Sequence, residues 1–155
     1  MRKTLVVALI GALAAGGMVG GATIAMAQGD VIAERKENRK QAAAAMRAIK
    51  GIIDAKGATS GAVEQAAKLK TLEIAFAKQF PAGSDKGDTK ALPAIWTDMA
   101  GFQAANKVAD AAYDKLATAA GSGNLEALTA AFGETGKAAA AVDFGELVGL
   151  GAQDG

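Results

Sequence analysis

The chain has 155 residues, 51% of them hydrophobic, with 17 lysines and arginines against 16 aspartates and glutamates. One domain is the default at this length, and so even a charge balance offers no footprint for a nucleic-acid partner. Cysteine and histidine are both absent, which excludes disulfides, thiolate ligands, imidazole bases and histidine-based metal sites.

Residues 1–27 read as a secretory signal. Arg2 and Lys3 form a positive start, residues 5–25 are uncharged and apolar, and Ala25-Met26-Ala27 offers an A-x-A cleavage site. Cleavage there leaves Gln28 first and removes two of the 17 basic residues. The apolar run is long enough to span a bilayer. Its many glycines and alanines favour cleavage instead, so no stable membrane insertion is expected afterwards. Residues 28–148 are expected to form the folded domain, and the glycine-rich residues 149–155 a flexible tail.

Within that domain Asp30 is placed to cap a first helix, with apolar residues at Ile32, Ala42, Met46, Ile49 and Ile53 and a stop near Gly57. The charges from Arg35 to Lys40 read mostly as a solvated face. A second helix is predicted from Ser60, with Val63, Ala66, Ala67, Leu69, Leu72, Ile74, Phe76 and Phe80 as its apolar stripe, ended by Pro81. The stretch 80–96, FPAGSDKGDTKALPAIW, holds both prolines and the only tryptophan. It is longer than most helix connections. Thr97 or Asp98 then caps a third helix carrying Phe102, Val108, Ala112, Tyr113 and Leu116. After the turn Gly121-Ser122-Gly123, Asn124 caps a fourth with Leu125, Leu128 and Phe132. Helix, short turn, helix, long loop, helix, short turn and helix spell an all-α, antiparallel up-down-up-down four-helix bundle.

Little in this text carries catalysis. Ser60, Ser84 and Ser122 have no base to activate them. Asp85 and Asp88, with Ser84, fit turn formation better than a cation site, lacking the layout of a calcium loop. Trp96, Phe102 and Phe132 read as core aromatics before they read as a ligand pocket. No enzymatic activity is expected.

The loop 80–96, followed by Asp98 and Phe102, resembles the middle loop of cytochrome c-prime, the four-helix-bundle class of c-type cytochromes. Arg39, Ala43 and Met46 are similar to that family's first-helix pattern of an arginine near the haem propionates followed by a distal-face residue. Ala43 stands where a larger apolar side chain is usual. The segment 132–137, FGETGK, resembles the lead-in to the haem-binding segment. The resemblance implies a periplasmic location, haem c as cofactor, an electron-transfer or nitric-oxide-binding role, and homodimers paired through the first two helices. The family's C-x-x-C-H is missing. Counting forward from Phe132 puts Ala139 and Val142 at the cysteine positions and Asp143 at the histidine. Counting back from Phe144 gives Lys137, Ala140 and Ala141 instead.

Thioether attachment and histidine ligation are therefore excluded for this chain. The expectation is a periplasmic bundle with no cofactor, acting as a binding or interaction protein. Its former haem pocket, between the first and fourth helices, is lined by Arg39, Ala43, Met46, Phe132, Lys137, Ala140, Val142 and Phe144. Arg39 and Lys137 would meet an anionic group at the mouth of a pocket for a small apolar or anionic ligand. The alternatives are haem held non-covalently, ligated by Met46, Met99 or a lysine, and a structural bundle acting through its surface.

Overall fold

A computed structural model describes residues 20–142, with side chains from residue 30 onward. The described residues form α1 (Gly20–Asp54), a 3₁₀ turn (Thr59–Ala62), α2 (Val63–Phe76), a one-turn helix α3 (Ala94–Thr97), α4 (Met99–Gly121) and α5 (Leu125–Val142). The helices α1, α2, α4 and α5 are the four of the antiparallel bundle. Each packs on its two neighbours, α1 on α2, α2 on α4, α4 on α5 and α5 back on α1. One end of the bundle is closed by the two short turns. The other carries the loop 77–98, the start of the described part of α1 and the end of α5.

The boundaries follow local chemistry, with some corrections. Asp30 caps nothing, because α1 runs unbroken through it from Gly20. No proline falls between Gly21 and Asp30, so no residue there forces the helix to break. The run crosses the expected cleavage site, and residues 1–19 of the expected signal lie outside the described residues. At its other end the left-handed residue is Lys56, with φ of 49°, one before Gly57. The Gly57 N–H bonds the Ile52 carbonyl at 2.9 Å, which closes the last turn. A 3₁₀ turn precedes α2, so α2 starts at Val63 rather than Ser60, and it ends at Phe76 before Pro81 is reached. Asp98 caps α4 through the Gly101 N–H at 2.9 Å, and Asn124 caps α5 through the Ala127 N–H at 3.0 Å. A Cβ on Gly101 would sit 2.3 Å from the Asp98 carboxylate, which would have to move out of its present position to admit it.

Toward the turn end the core is alanine and leucine. Ala42, Ala45 and Ile49 of α1 meet Ala66 and Leu69 of α2, Ala109, Ala112 and Leu116 of α4, and Leu128 and Ala131 of α5. Small side chains bring the helices close, and the few large ones fill the layers between them. Val63, Ile74 and Val108, expected in the apolar stripes, are exposed instead. The inward steps of α2 run Ala66, Leu69, Glu73 and Phe76. Those of α4 run Phe102, Asn106, Ala109, Ala112 or Tyr113, and Leu116. Steps of three and four fix the buried face, and Ile74 and Val108 fall off it.

Candidate functional site

At the loop end the inward positions turn polar. Arg35 and Asn38 on α1, Glu73 on α2, Asn106 on α4 and Thr135 on α5 are all buried. Sequence reasoning missed all five, the α1 charges reading as a solvated face. The available signal was the step pattern itself, which runs Ile32, Arg35, Asn38, Ala42 and Ala45 without a break.

Arg35 ties the loop to α1. Its guanidinium donates from Nη2 to the Ser84 carbonyl at 2.7 Å. It lies 4.8 Å from the Phe80 ring and 5.5 Å from that of Trp96, close enough for cation–π attraction. Trp96 Nε1 donates to the Pro81 carbonyl at 3.0 Å. Phe80 stands 4.9 Å from Phe76 and 4.7 Å from Phe102, edge to face with both. Phe80, Pro81, Ser84 and Trp96 of the 80–96 stretch thus fold back onto the bundle around one buried cation. Gly87, with φ of 109°, passes over Ile32 where a Cβ would lie 3.1 Å from Cδ1. Asp88 accepts from Lys36 at 2.6 Å, and that hydrogen bond and charge hold its carboxyl below the usual range. Asp85 sits near Lys86. No group of three or more metal-capable side chains occurs among the described residues.

One turn along α1, Arg39 Nη2 donates to Glu73 Oε2 at 3.1 Å, and the guanidinium carbon lies 3.3 Å from the centroid of Phe76. The Glu73 side chain is only 2% exposed, that of Arg39 14%. Burial pushes the Glu73 carboxyl above its usual range. Arg39 pulls the other way, and Asp110 on α4 adds to the rise.

The expected site residues are only partly brought together. Arg39, Ala43, Met46 and Phe132 are half-buried, and Val142 is buried. Lys137 and Ala140 are exposed, so Lys137 points to solvent rather than into a pocket with Arg39. Arg39 itself is already held by Glu73. Phe144 and Asp143 lie outside the described residues. Val142 lines a groove of about 330 Å³, together with Leu92, Ile95, Phe102, Ala105 and Ala141. This groove runs between α4, α3 and the end of α5, not between the first and fourth bundle helices.

A helical bundle with an aromatic, loop-covered end and a groove at the end of its last helix is the class that these features define. The model of the family described as Cytochrome C' matches residues 30–141, and the chain belongs to that family. A cytochrome c' of Rubrivivax gelatinosus is 44% identical over 96 residues, which is 61% of this chain and 71% of the relative. In the solved structure of a Rubrivivax gelatinosus cytochrome c' the match has a TM-score of 0.69 at 35% identity, over 74% of this chain and 92% of that one. Cytochrome c prime from Shewanella frigidimarina gives 0.68 at 28%, over 74% and 91%. A further cytochrome c', with ligand-controlled dimer dissociation, gives 0.69 at 22% identity over 73% and 90%, and shows the fold alone.

This membership corrects one expectation. The chain was expected to have no cofactor, but its relatives are cytochromes, and the cofactor of the family is haem. Missing thiols and imidazoles exclude particular bonds; they do not exclude a binding partner. The residues present do not fit attached haem c. In one register the expected cysteine positions hold half-buried Ala139 and buried Val142, in the other exposed Lys137 and Ala140, and no side chain in either set is a thiol. Neither can form a thioether, and the chain has no imidazole to offer iron.

Proposed function

We propose that this chain is a periplasmic, non-enzymatic binding protein of the cytochrome c' family that takes its ligand without a covalent bond. The supporting observation is the groove of about 330 Å³ bordered by Ala141 and Val142. It lies at the end of the helix where the family attaches its cofactor. Its size is at the lower end for ligand sites, which run from roughly 300 to 1,000 Å³, and its lining is mostly apolar. A small flat apolar ligand suits it. The periplasmic reading rests on the expected signal and the family. Among the described residues no helix is long and apolar enough to cross a membrane.

Non-covalent haem is the second reading, favoured by the match to cytochromes. An absorption spectrum of protein purified from a haem-attaching periplasm, followed by haem titration, separates the two. A colourless protein that gains no Soret band with added haem leaves the groove for another ligand. A stoichiometric Soret band that acid-acetone extracts completely supports non-covalent haem with electron-transfer or gas-binding activity. A band that resists extraction overturns the proposal of non-covalent binding.

We also infer a homodimer with α2 in its face. Val63 and Ile74 are 43% and 44% exposed. Eleven residues apart, they share one side of the helix. Sedimentation of a V63K/I74K variant tests this: an unchanged dimer, or a wild type that is monomeric, counts against it.

A further inference from the structure

Val142 closes α5 and also lines the groove, together with Leu92, Ile95, Phe102 and Ala105. The rim of the groove is apolar and open: Leu92 is 45% exposed, and Ala94 and Ala141 are exposed as well. Thirteen residues of sequence, DFGELVGLGAQDG, follow Val142, so that segment begins at the groove itself. The buried positions of α5 are Leu128, Ala131, Thr135, Ala138 and Val142, in steps of three and four. The same steps reach Gly145 or Glu146 next, and then Gly149. Phe144, Leu147 and Val148 fall on the opposite side. A straight continuation of the helix would turn a carboxylate inward and three large apolar side chains to water, the reverse of what burial favours. Gly145 is where the chain has the freedom to turn instead.

We propose that Phe144, Leu147 and Val148 fold back into this groove and cover it, so that the chain's own C-terminal segment competes with the apolar ligand proposed for it. The competition rests on that ligand reading; the seating of the segment does not. Reach permits the seat. Leu147 is five residues past Val142, at most about 16–18 Å of extended chain, and Phe144 is only two. Seating sets the phenyl ring and the leucine against Phe102, Ile95 and Leu92, and the exposed Leu92 gains apolar cover. Asp98 stands at the edge of the groove with its carboxylate held by the Gly101 N–H, so Asp143 and Glu146 belong on the solvent side. A segment tethered this closely acts at an effective concentration in roughly the millimolar range, which lets weak contacts hold it in place. A segment seated about nine-tenths of the time weakens the apparent affinity of a competing ligand roughly tenfold.

The chain has no cysteine, so one engineered pair of thiols reports the seat directly. In the full chain, Leu92→Cys with Leu147→Cys should form an intramolecular disulfide in glutathione buffer, roughly tenfold more favoured than Lys137→Cys with Leu147→Cys. Lys137 is exposed on α5, does not line the groove and is within reach of an unseated segment. Circular dichroism confirms that each variant is folded. Equal yields from the two pairs overturn the seat. A disulfide that links two chains also overturns it and gives the groove to a second copy. Calorimetric titration with naphthalene then tests the competition. The double variant Phe144→Asp, Leu147→Asp should bind it roughly tenfold tighter than the wild-type chain. Equal affinity in the two proteins overturns the competition. An intramolecular disulfide in the first pair, with naphthalene bound by neither protein, removes the ligand reading and supports the seat.

Discussion

The two ends of the bundle solve the same packing problem with different chemistry. At the turn end, Ala45, Ile49, Leu69, Leu116 and Leu128 fill the inward positions with aliphatic side chains. Such a layer asks only for matched volume. At the loop end the equivalent positions hold Arg35, Asn38, Glu73 and Asn106 among four aromatic rings. Burying them costs solvation, which must be recovered from specific partners: the Ser84 and Leu72 carbonyls, Glu73 for Arg39, and the faces of Phe76, Phe80 and Trp96. A fold needs the first kind of end. The second is tolerated where something binds or is positioned, which is why the candidate sites of this protein all lie there.

The sharpest break of this contrast is Arg39→Gln. It leaves the buried Glu73 carboxyl without the Arg39 cation, and urea unfolding at pH 7 should show a loss of about 3–5 kcal/mol. Glu73→Gln should instead be neutral or stabilising at the same pH. The sign follows from the direction of the shift. The folded carboxyl is raised above its unfolded value, so its favourable contribution is full below the unfolded value and is lost as pH rises through the folded one. The Arg39→Gln deficit should accordingly shrink from pH 8 to pH 5. A deficit that does not vary with pH would argue against a buried carboxylate.

Next in size is Leu128→Ala at the turn end, where the side chain is fully buried. About 2–5 kcal/mol should be lost, the transfer and cavity cost of a leucine, and the loss should be the same at pH 5 and pH 8. A pH-dependent deficit here would mean that the two ends are coupled. Asp98→Ala removes the cap of α4 and should cost about 1 kcal/mol by thermal or urea unfolding. Gly101→Ala should be at least as harmful, because its Cβ would collide with that same carboxylate. The smallest effect belongs to Lys36 and Asp88, which are open to solvent. Lys36→Met should raise the Asp88 carboxyl toward its ordinary value in an NMR titration, with little change in unfolding temperature. Because that carboxyl is held low in the folded state, its small contribution is present above the unfolded value and fades as pH falls through the folded one.

What could be read from the sequence was governed by contacts within a few residues. Caps such as Asp98 and Asn124 work over three positions, and the prolines and glycines of the 80–96 loop break helices on their own account. The four-helix architecture follows from their spacing. The loss of thioether attachment was also legible, because it depends on which atoms the chain contains. The claim that no cofactor exists was not, since non-covalent binding is a property of shape and charge in three dimensions.

The polar core was hidden for a related reason. Whether Arg35, Asn38 and Glu73 face water or the interior depends on partners 34 or more residues away, Ser84, Leu72 and Arg39. On a single helix they look like solvated charges. Only when α2 and the loop are laid against α1 do their partners appear, and only then does Ile74 give up its inward position to Glu73. The sequence by itself therefore determined the number of bundle helices, the caps of α4 and α5 and where the chain folds back, because those signals are local. The tertiary structure decided which charges are buried, which apolar residues are left outside and where a ligand has room, because each depends on what the neighbouring helix brings.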